Sequence, residues 1–71
     1  MTVNEAFAKN VRNILSEYNW TQLYLSEASG ISKHTINGIL RGHQGPSLYT
    51  AFLIADALEV SLDELTEGAD E

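Results

Sequence analysis

The sequence has no cysteine, only four cationic side chains and no long apolar run, and each shortage removes a class of protein. Without cysteine, disulfide bonds and cysteine-ligated zinc sites are excluded. No apolar stretch approaches the roughly 20 residues that cross a bilayer. The N-terminal segment has no basic stretch followed by an apolar run, so no secretion signal is predicted. We therefore expect a soluble, cytoplasmic protein without a membrane partner.

The sequence also lacks the residue patterns that are typical of enzyme active sites. A chain of 71 residues forms one small domain, which buries only roughly 60% of its unfolded surface and leaves no room for a large cleft. We find no nucleophile–base pair, no glycine-rich phosphate loop before a strand and no cluster of metal ligands. His34 and His43 alone do not complete a metal site. The sequence predicts no enzyme activity, no cofactor and no metal.

The few cations are concentrated in one segment. The net charge of −6 argues at first against nucleic acid, because phosphate contacts need cations. However, no Asp or Glu occurs between Ala28 and Ala55, and this segment contains Lys33, His34, Arg41 and His43. Seven of the ten acids lie between Asp56 and Glu71. The sequence therefore predicts a mildly basic segment beside an acidic one.

The hydrophobic spacing predicts five helices and no strands. Apolar residues recur three and four positions apart, and each predicted helix follows a serine or threonine suited to capping it. The expected N-caps are Thr2, Thr21, Ser32, Ser47 and Ser61. In the fourth helix, the expected buried stripe is Leu48, Ala51, Phe52, Ala55 and Leu58. We predict one domain over residues 1–65, followed by an acidic flexible tail or linker start over residues 66–71.

The second and third predicted helices are joined by a very tight turn. Between Thr21 and Gly42 the sequence is TQLYLSEASGISKHTINGILRG, and the turn consists of Ser29, Gly30 and Ile31. Such a connection makes two helices cross steeply, so that the second stands free of the domain. A helix about 10 Å wide fits the major groove, which is about 12 Å wide. The face opposite the apolar stripe contains Lys33, His34, Asn37, Gly38 and Arg41, none of them acidic.

Residues 7–65 resemble the phage repressor/Cro-like family of helix-turn-helix domains, also called the xenobiotic-response-element type. The matching residues are Trp20, Thr21, Gln22, Leu25, Ala28, Gly30, Ile31, Ser32, Ile36, Ile39, Arg41, Gly42, Pro46, Ser47, Leu48, Ala55, Leu58 and Val60–Leu65. The resemblance implies a compact, all-α, five-helix fold like that of lambda repressor. It also implies a sequence-specific transcriptional regulator, most often a repressor, that inserts helix 33–41 into the major groove of a double-stranded operator.

The resemblance assigns roles to individual residues. The expected base contacts are Lys33, His34, Asn37 and Gly38, where glycine would let the backbone approach DNA closely. The expected phosphate contacts are Thr21, Gln22, Ser32, Thr35, Arg41, His43 and Gln44. The chain departs from the family at three positions. Ser26 replaces a small apolar residue and would loosen the helix pair slightly, and Leu40 occupies a position often held by glutamate. Gly38 removes a side chain that often reads a base.

Two functions remain open on this evidence. The first is an operator-binding repressor acting as a homodimer, with Leu40, Tyr49 and Leu53 as exposed apolar dimer contacts. The second is a protein-interaction module on the same fold, such as an antitoxin or a regulator bound by an antirepressor protein. The net charge and the exposed leucines favour the second function. Each polar residue assigned to DNA can alternatively be an ordinary solvated side chain.

Overall fold

Every helix begins directly after a serine or threonine whose side-chain oxygen accepts a backbone N–H from the first turn. The computed structural model describes residues 1–70, and within them the chain forms five α-helices and no strand. They are α1 (Val3–Tyr18), α2 (Gln22–Ser29), α3 (Lys33–Leu40), α4 (Leu48–Leu58) and α5 (Leu62–Leu65). The predicted all-α fold and all five predicted N-caps are confirmed.

Helices α1 and α4 end in the same way. Asn19 and Glu59 both adopt the left-handed conformation, each with a φ of 59°. The next residue then donates its N–H back into the last helical turn: Trp20 to the carbonyl of Leu15 at 2.9 Å, and Val60 in the equivalent bond at 3.0 Å. This pattern is a Schellman motif, which satisfies carbonyls that a helix end would leave unpaired. It reverses the chain within very few residues.

The core lies where the helices meet. Helix α1 packs against α3 and α5, α2 packs against α3 and α4, and α4 also contacts α5. The buried apolar side chains are Phe7, Val11, Leu15, Leu25, Ile36, Ile39, Leu40, Ala51, Ile54, Ala55, Leu58 and Leu65. Within residues 1–70, no polar or charged side chain is buried. The fold is therefore held mainly by apolar packing from all five helices.

The predicted buried face of α4 is partly wrong. Leu48 and Phe52 were expected inside but are 79% and 55% exposed, whereas Ile54 is only 1% exposed. The cause is that α4 carries apolar residues on every side, so its sequence allows more than one inward stripe. Val3 and Tyr18, at the two ends of α1, and Ala28 in α2 are exposed as well.

The residues that follow α5 contact the N-terminal part of the chain. The Asn10 side-chain amide donates to the carbonyls of Leu65 and Glu67, both at 2.9 Å. The terminal ammonium of Met1 pairs with the Asp70 carboxylate at 2.8 Å. The flexibility expected for residues 66–71 stays a prediction, and Glu71 lies outside the described residues. No helix in residues 1–70 is long and apolar enough to cross a membrane.

Candidate nucleic-acid interface

The turn between α2 and α3 is held by its own serines. Gly30 takes a φ of 79°, a conformation that costs glycine least. The Ser26 hydroxyl donates to the carbonyl of Ile31, and the Ile31 N–H donates to the Ser29 hydroxyl oxygen at 3.3 Å. The Ser26 hydroxyl thus joins α2 to the turn, and the expected loosening of the helix pair stays a prediction.

Helix α3 has one buried face and one open face. Ile36, Ile39 and Leu40 point into the core. On the other side, Lys33 and His34 are exposed in the first turn, and Asn37 and Gly38 are half-buried one turn later. Arg41, which ends the helix, is exposed. The predicted base-contact residues thus share a surface that reaches solvent.

The residues expected to contact phosphates lie at helix ends and in one loop. Thr21 and Ser32 are the exposed N-caps of α2 and α3, and Gln22 is the half-buried first residue of α2. Thr35 is half-buried, and its hydroxyl oxygen accepts a hydrogen bond from Ser32 at 2.9 Å. Arg41, His43 and Gln44 are exposed after α3. These positions offer hydrogen-bond donors to an anion without any acid among them.

The helix N-termini differ in charge. Helices α1 and α5 carry Glu5 or the pair Asp63 and Glu64 in their first turns, and both form capping boxes. Helices α2, α3 and α4 have no acid in the first turn. Their partial positive charges therefore remain uncompensated by a carboxylate, which favours the approach of an anion. These three helices are also the ones that border the turn and the loop assigned to DNA.

A loop side chain covers the only glycine of α3. If Gly38 carried a Cβ atom, that atom would lie 3.2 Å from Cδ, 3.4 Å from Nε2 and 3.5 Å from Cγ of Gln44. The loop is turned back by Gly42, whose φ is 78°, and by a 3.2 Å bond from the His43 N–H to the Gly38 carbonyl. The glycine thus makes room for Gln44, a reason that the sequence did not reveal.

Arg12 makes a contact that the sequence does not predict, because an arginine three turns into α1 gives no signal that it caps another helix. One of its guanidinium nitrogens donates to the carbonyl of Leu40 at 2.6 Å and so ties α1 to the end of α3.

The expected exposure of Leu40 is wrong, because its side chain is 4% exposed and belongs to the core. Of the other proposed dimer contacts, Tyr49 is 71% exposed and Leu53 is half-buried.

Comparison with known proteins adds independent evidence. A helix-turn-helix family model, HTH_3, matches residues 9–65. The control protein C.SmaI of Serratia marcescens is 32% identical over 65 residues, covering 92% of this chain and 77% of that protein.

Two solved structures are similar. The restriction-modification controller protein C.AhdI from Aeromonas hydrophila has a TM-score of 0.82 and 26% identity, covering 87% of this chain and 94% of the other. An HTH_3 family transcriptional regulator from Vibrio cholerae has a TM-score of 0.83 over 89% of this chain. At 24% identity it shows the fold alone, and the match spans 35% of its length. The chain belongs to the HTH_3 helix-turn-helix family and is a DNA-binding transcriptional regulator of the phage repressor/Cro-like type.

Proposed function

We propose that the protein is a repressor that binds a specific operator by inserting α3 into the major groove, and that bound protein blocks the polymerase. One observation carries this proposal: the open face of α3 presents hydrogen-bonding side chains, and no acid lies between Ala28 and Ala55. Acids on this face would repel phosphates and offer base edges only acceptors, for the amino groups of cytosine and adenine.

Three side chains on α3 supply the base contacts. Lys33 is a donor suited to the O6 and N7 atoms of guanine, and the Asn37 carboxamide can pair with N6 and N7 of adenine. His34 can donate or accept at a base edge. Lys33 and His34 are exposed in the first turn, where recognition helices of this motif make base contacts. Gly38 lies on the same face, beneath the side chain of Gln44.

The phosphate contacts surround that surface. Gln22 and Thr21 lie at the start of α2, and Arg41, His43 and Gln44 follow α3. Ser32 and Thr35 lie at the start of α3. The acid-free first turns of α2 and α3 support this assignment, because backbone N–H groups at helix starts bind anions. The acid-free start of α4 follows the loop and continues the same surface.

We place the homodimer contact on α4. Leu48, Tyr49 and Phe52 are exposed, adjacent or one turn apart, and follow the loop that ends the DNA surface. Burying them against a second copy would remove apolar surface from water and set two α3 helices side by side. Such dimers read half-sites about 34 Å apart, which predicts a near-palindromic operator. Because C.SmaI and C.AhdI are control proteins, we propose restriction–modification genes as the target.

A protein-interaction role is the second candidate, and the same apolar residues on α4 together with the net charge of −6 favour it. In that role the chain would be an antitoxin or a regulator bound by an antirepressor, and the toxin or the antirepressor, rather than a second copy, would cover α4. Salt dependence separates the two candidates. Operator affinity should fall as the salt concentration rises, because phosphate contacts release counterions. A flat response would favour the protein partner as the principal ligand.

The decisive experiment is selection of bound sequences from a random DNA pool with the full chain. We expect a two-fold symmetric motif with half-sites about one helical turn apart. Lys33→Ala and Asn37→Ala should each weaken binding to that motif by about 1–3 kcal/mol and relax one base position. Lys9→Ala is the control, since it removes a lysine from α1 and should keep the motif. Recovery of no motif by the wild-type chain would refute operator binding.

A further inference from the structure

The open face of α3 has a gap at its centre. With roughly 100° between successive residues, Gly38 falls roughly 30° from the direction opposite the buried residues of the helix. His34 lies one turn before it on the same face, and Arg41 lies one turn after it. A side chain at this position would point toward the floor of the groove, where base edges lie, and glycine supplies none.

The side chain of Gln44 occupies this gap. Its Cδ and Nε2 atoms lie 3.2 Å and 3.4 Å from the place where a Cβ of Gly38 would be. The loop that carries Gln44 is attached to α3 by the bond from the His43 N–H to the Gly38 carbonyl at 3.2 Å. Gln44 is an exposed residue, and its carboxamide carries both a donor and an acceptor that a ligand can use.

We infer that Gln44 reads a base, acting from the loop in place of the side chain that Gly38 lacks. This inference rests on the proposed function, and it changes the phosphate role expected for Gln44. Phosphates line the edges of the groove, whereas the centre of the inserted face meets the bases. A glutamine carboxamide pairs with N6 and N7 of adenine through one donor and one acceptor, so adenine is the predicted partner.

The test compares DNA selections by the wild-type chain, Gln44→Ala and His43→Ala. Gln44→Ala should lose a roughly 5- to 150-fold preference for adenine at one base pair of each half-site and keep the rest of the motif. His43→Ala alters the neighbouring loop residue and should weaken binding evenly, with the motif unchanged. An unchanged motif for Gln44→Ala, with weaker binding to every sequence and a shallower salt dependence, would overturn the inference in favour of a phosphate contact.

Gly38→Ala provides an independent variant. The added methyl group would lie 3.2 Å from Cδ of Gln44, so that side chain must shift by a few tenths of an ångström and the preference at the same base position should weaken. In the Gln44→Ala background the same substitution should change nothing further at that position. Additive effects of the two substitutions would overturn the inference. A wild-type chain that selects no motif would instead refute the proposed function, so the two failures are distinguishable.

Discussion

Replacing Arg12 by methionine tests how the DNA-reading helix is held in place. The last four carbonyls of α3 all have partners. The N–H groups of Arg41, Gly42 and His43 donate to the carbonyls of Asn37, Ile39 and Gly38, respectively. The Arg12 guanidinium donates to the carbonyl of Leu40. Methionine keeps the apolar stem of the side chain and removes the donor and the charge. The Leu40 carbonyl then loses its only partner from another helix.

The size of the effect follows from the geometry of this bond. Hydrogen bonds to charged groups contribute about 1.5–3 kcal/mol, and the cation also faces the negative end of the α3 dipole. Arg12 is exposed, so water competes for it and the contribution is discounted to the bottom of that range or just below it. We expect Arg12→Met to lower the free energy of unfolding by about 1–2 kcal/mol. In a domain of this size that corresponds to a Tm lower by about 5–15 °C.

The assay is urea denaturation followed by circular dichroism, with Lys9→Met as the matched control. Lys9 is exposed on α1 and makes no side-chain hydrogen bond within residues 1–70. Its replacement causes the same change in charge and should alter the free energy of unfolding by less than about 0.5 kcal/mol. Arg12→Lys should restore part of the loss, because a cation remains near the helix end. Equal destabilisation by Arg12→Met and Lys9→Met would refute the reasoning.

Three further predictions concern a helix end, the turn and the dimer. Glu59→Gly should raise the free energy of unfolding, measured by urea denaturation, by about 0.5–1 kcal/mol. The reason is that Glu59 has a positive φ, which glycine adopts without strain. Glu59→Ala keeps the strain and should not raise the free energy of unfolding. Ser26→Ala should lower the free energy of unfolding by about 0.5–1 kcal/mol, since losing the hydrogen bond to Ile31 outweighs alanine's better helix propensity. A higher free energy of unfolding would contradict the role given to this hydroxyl. Phe52→Ser should shift sedimentation equilibrium toward monomer and leave α3 folded; an unchanged dimer would place its interface elsewhere.

The helices were the most predictable part of the structure because their signals are local. A serine or threonine before an apolar stripe fixes where a helix begins, and the expected range of α1, Val3–Tyr18, is the observed one. Local signals did not predict which face of α4 is buried. With apolar residues all round, its sequence could not say whether Phe52 or Ile54 lies inside, and only packing against α2 and α5 decides.

The candidate site was predictable in its residue types but less so in its contacts. The spacing around Gly30 predicted which helix would be open, and Lys33 and His34 are exposed as that helix requires. The contact of Gln44 with Gly38 depends on the path of a loop, and the bond from Arg12 to Leu40 joins residues 28 positions apart. Neither follows from periodicity, because each depends on how separate elements meet in three dimensions.

The uneven distribution of charge affects how the protein searches a genome. Attraction to random DNA comes almost entirely from cations near phosphates, and this chain has four lysines and arginines against ten acids. We therefore expect brief contacts with non-target sequence and little sequestration of the protein among the many competing sites. Under the proposed function, few copies per cell would then suffice to fill a true target.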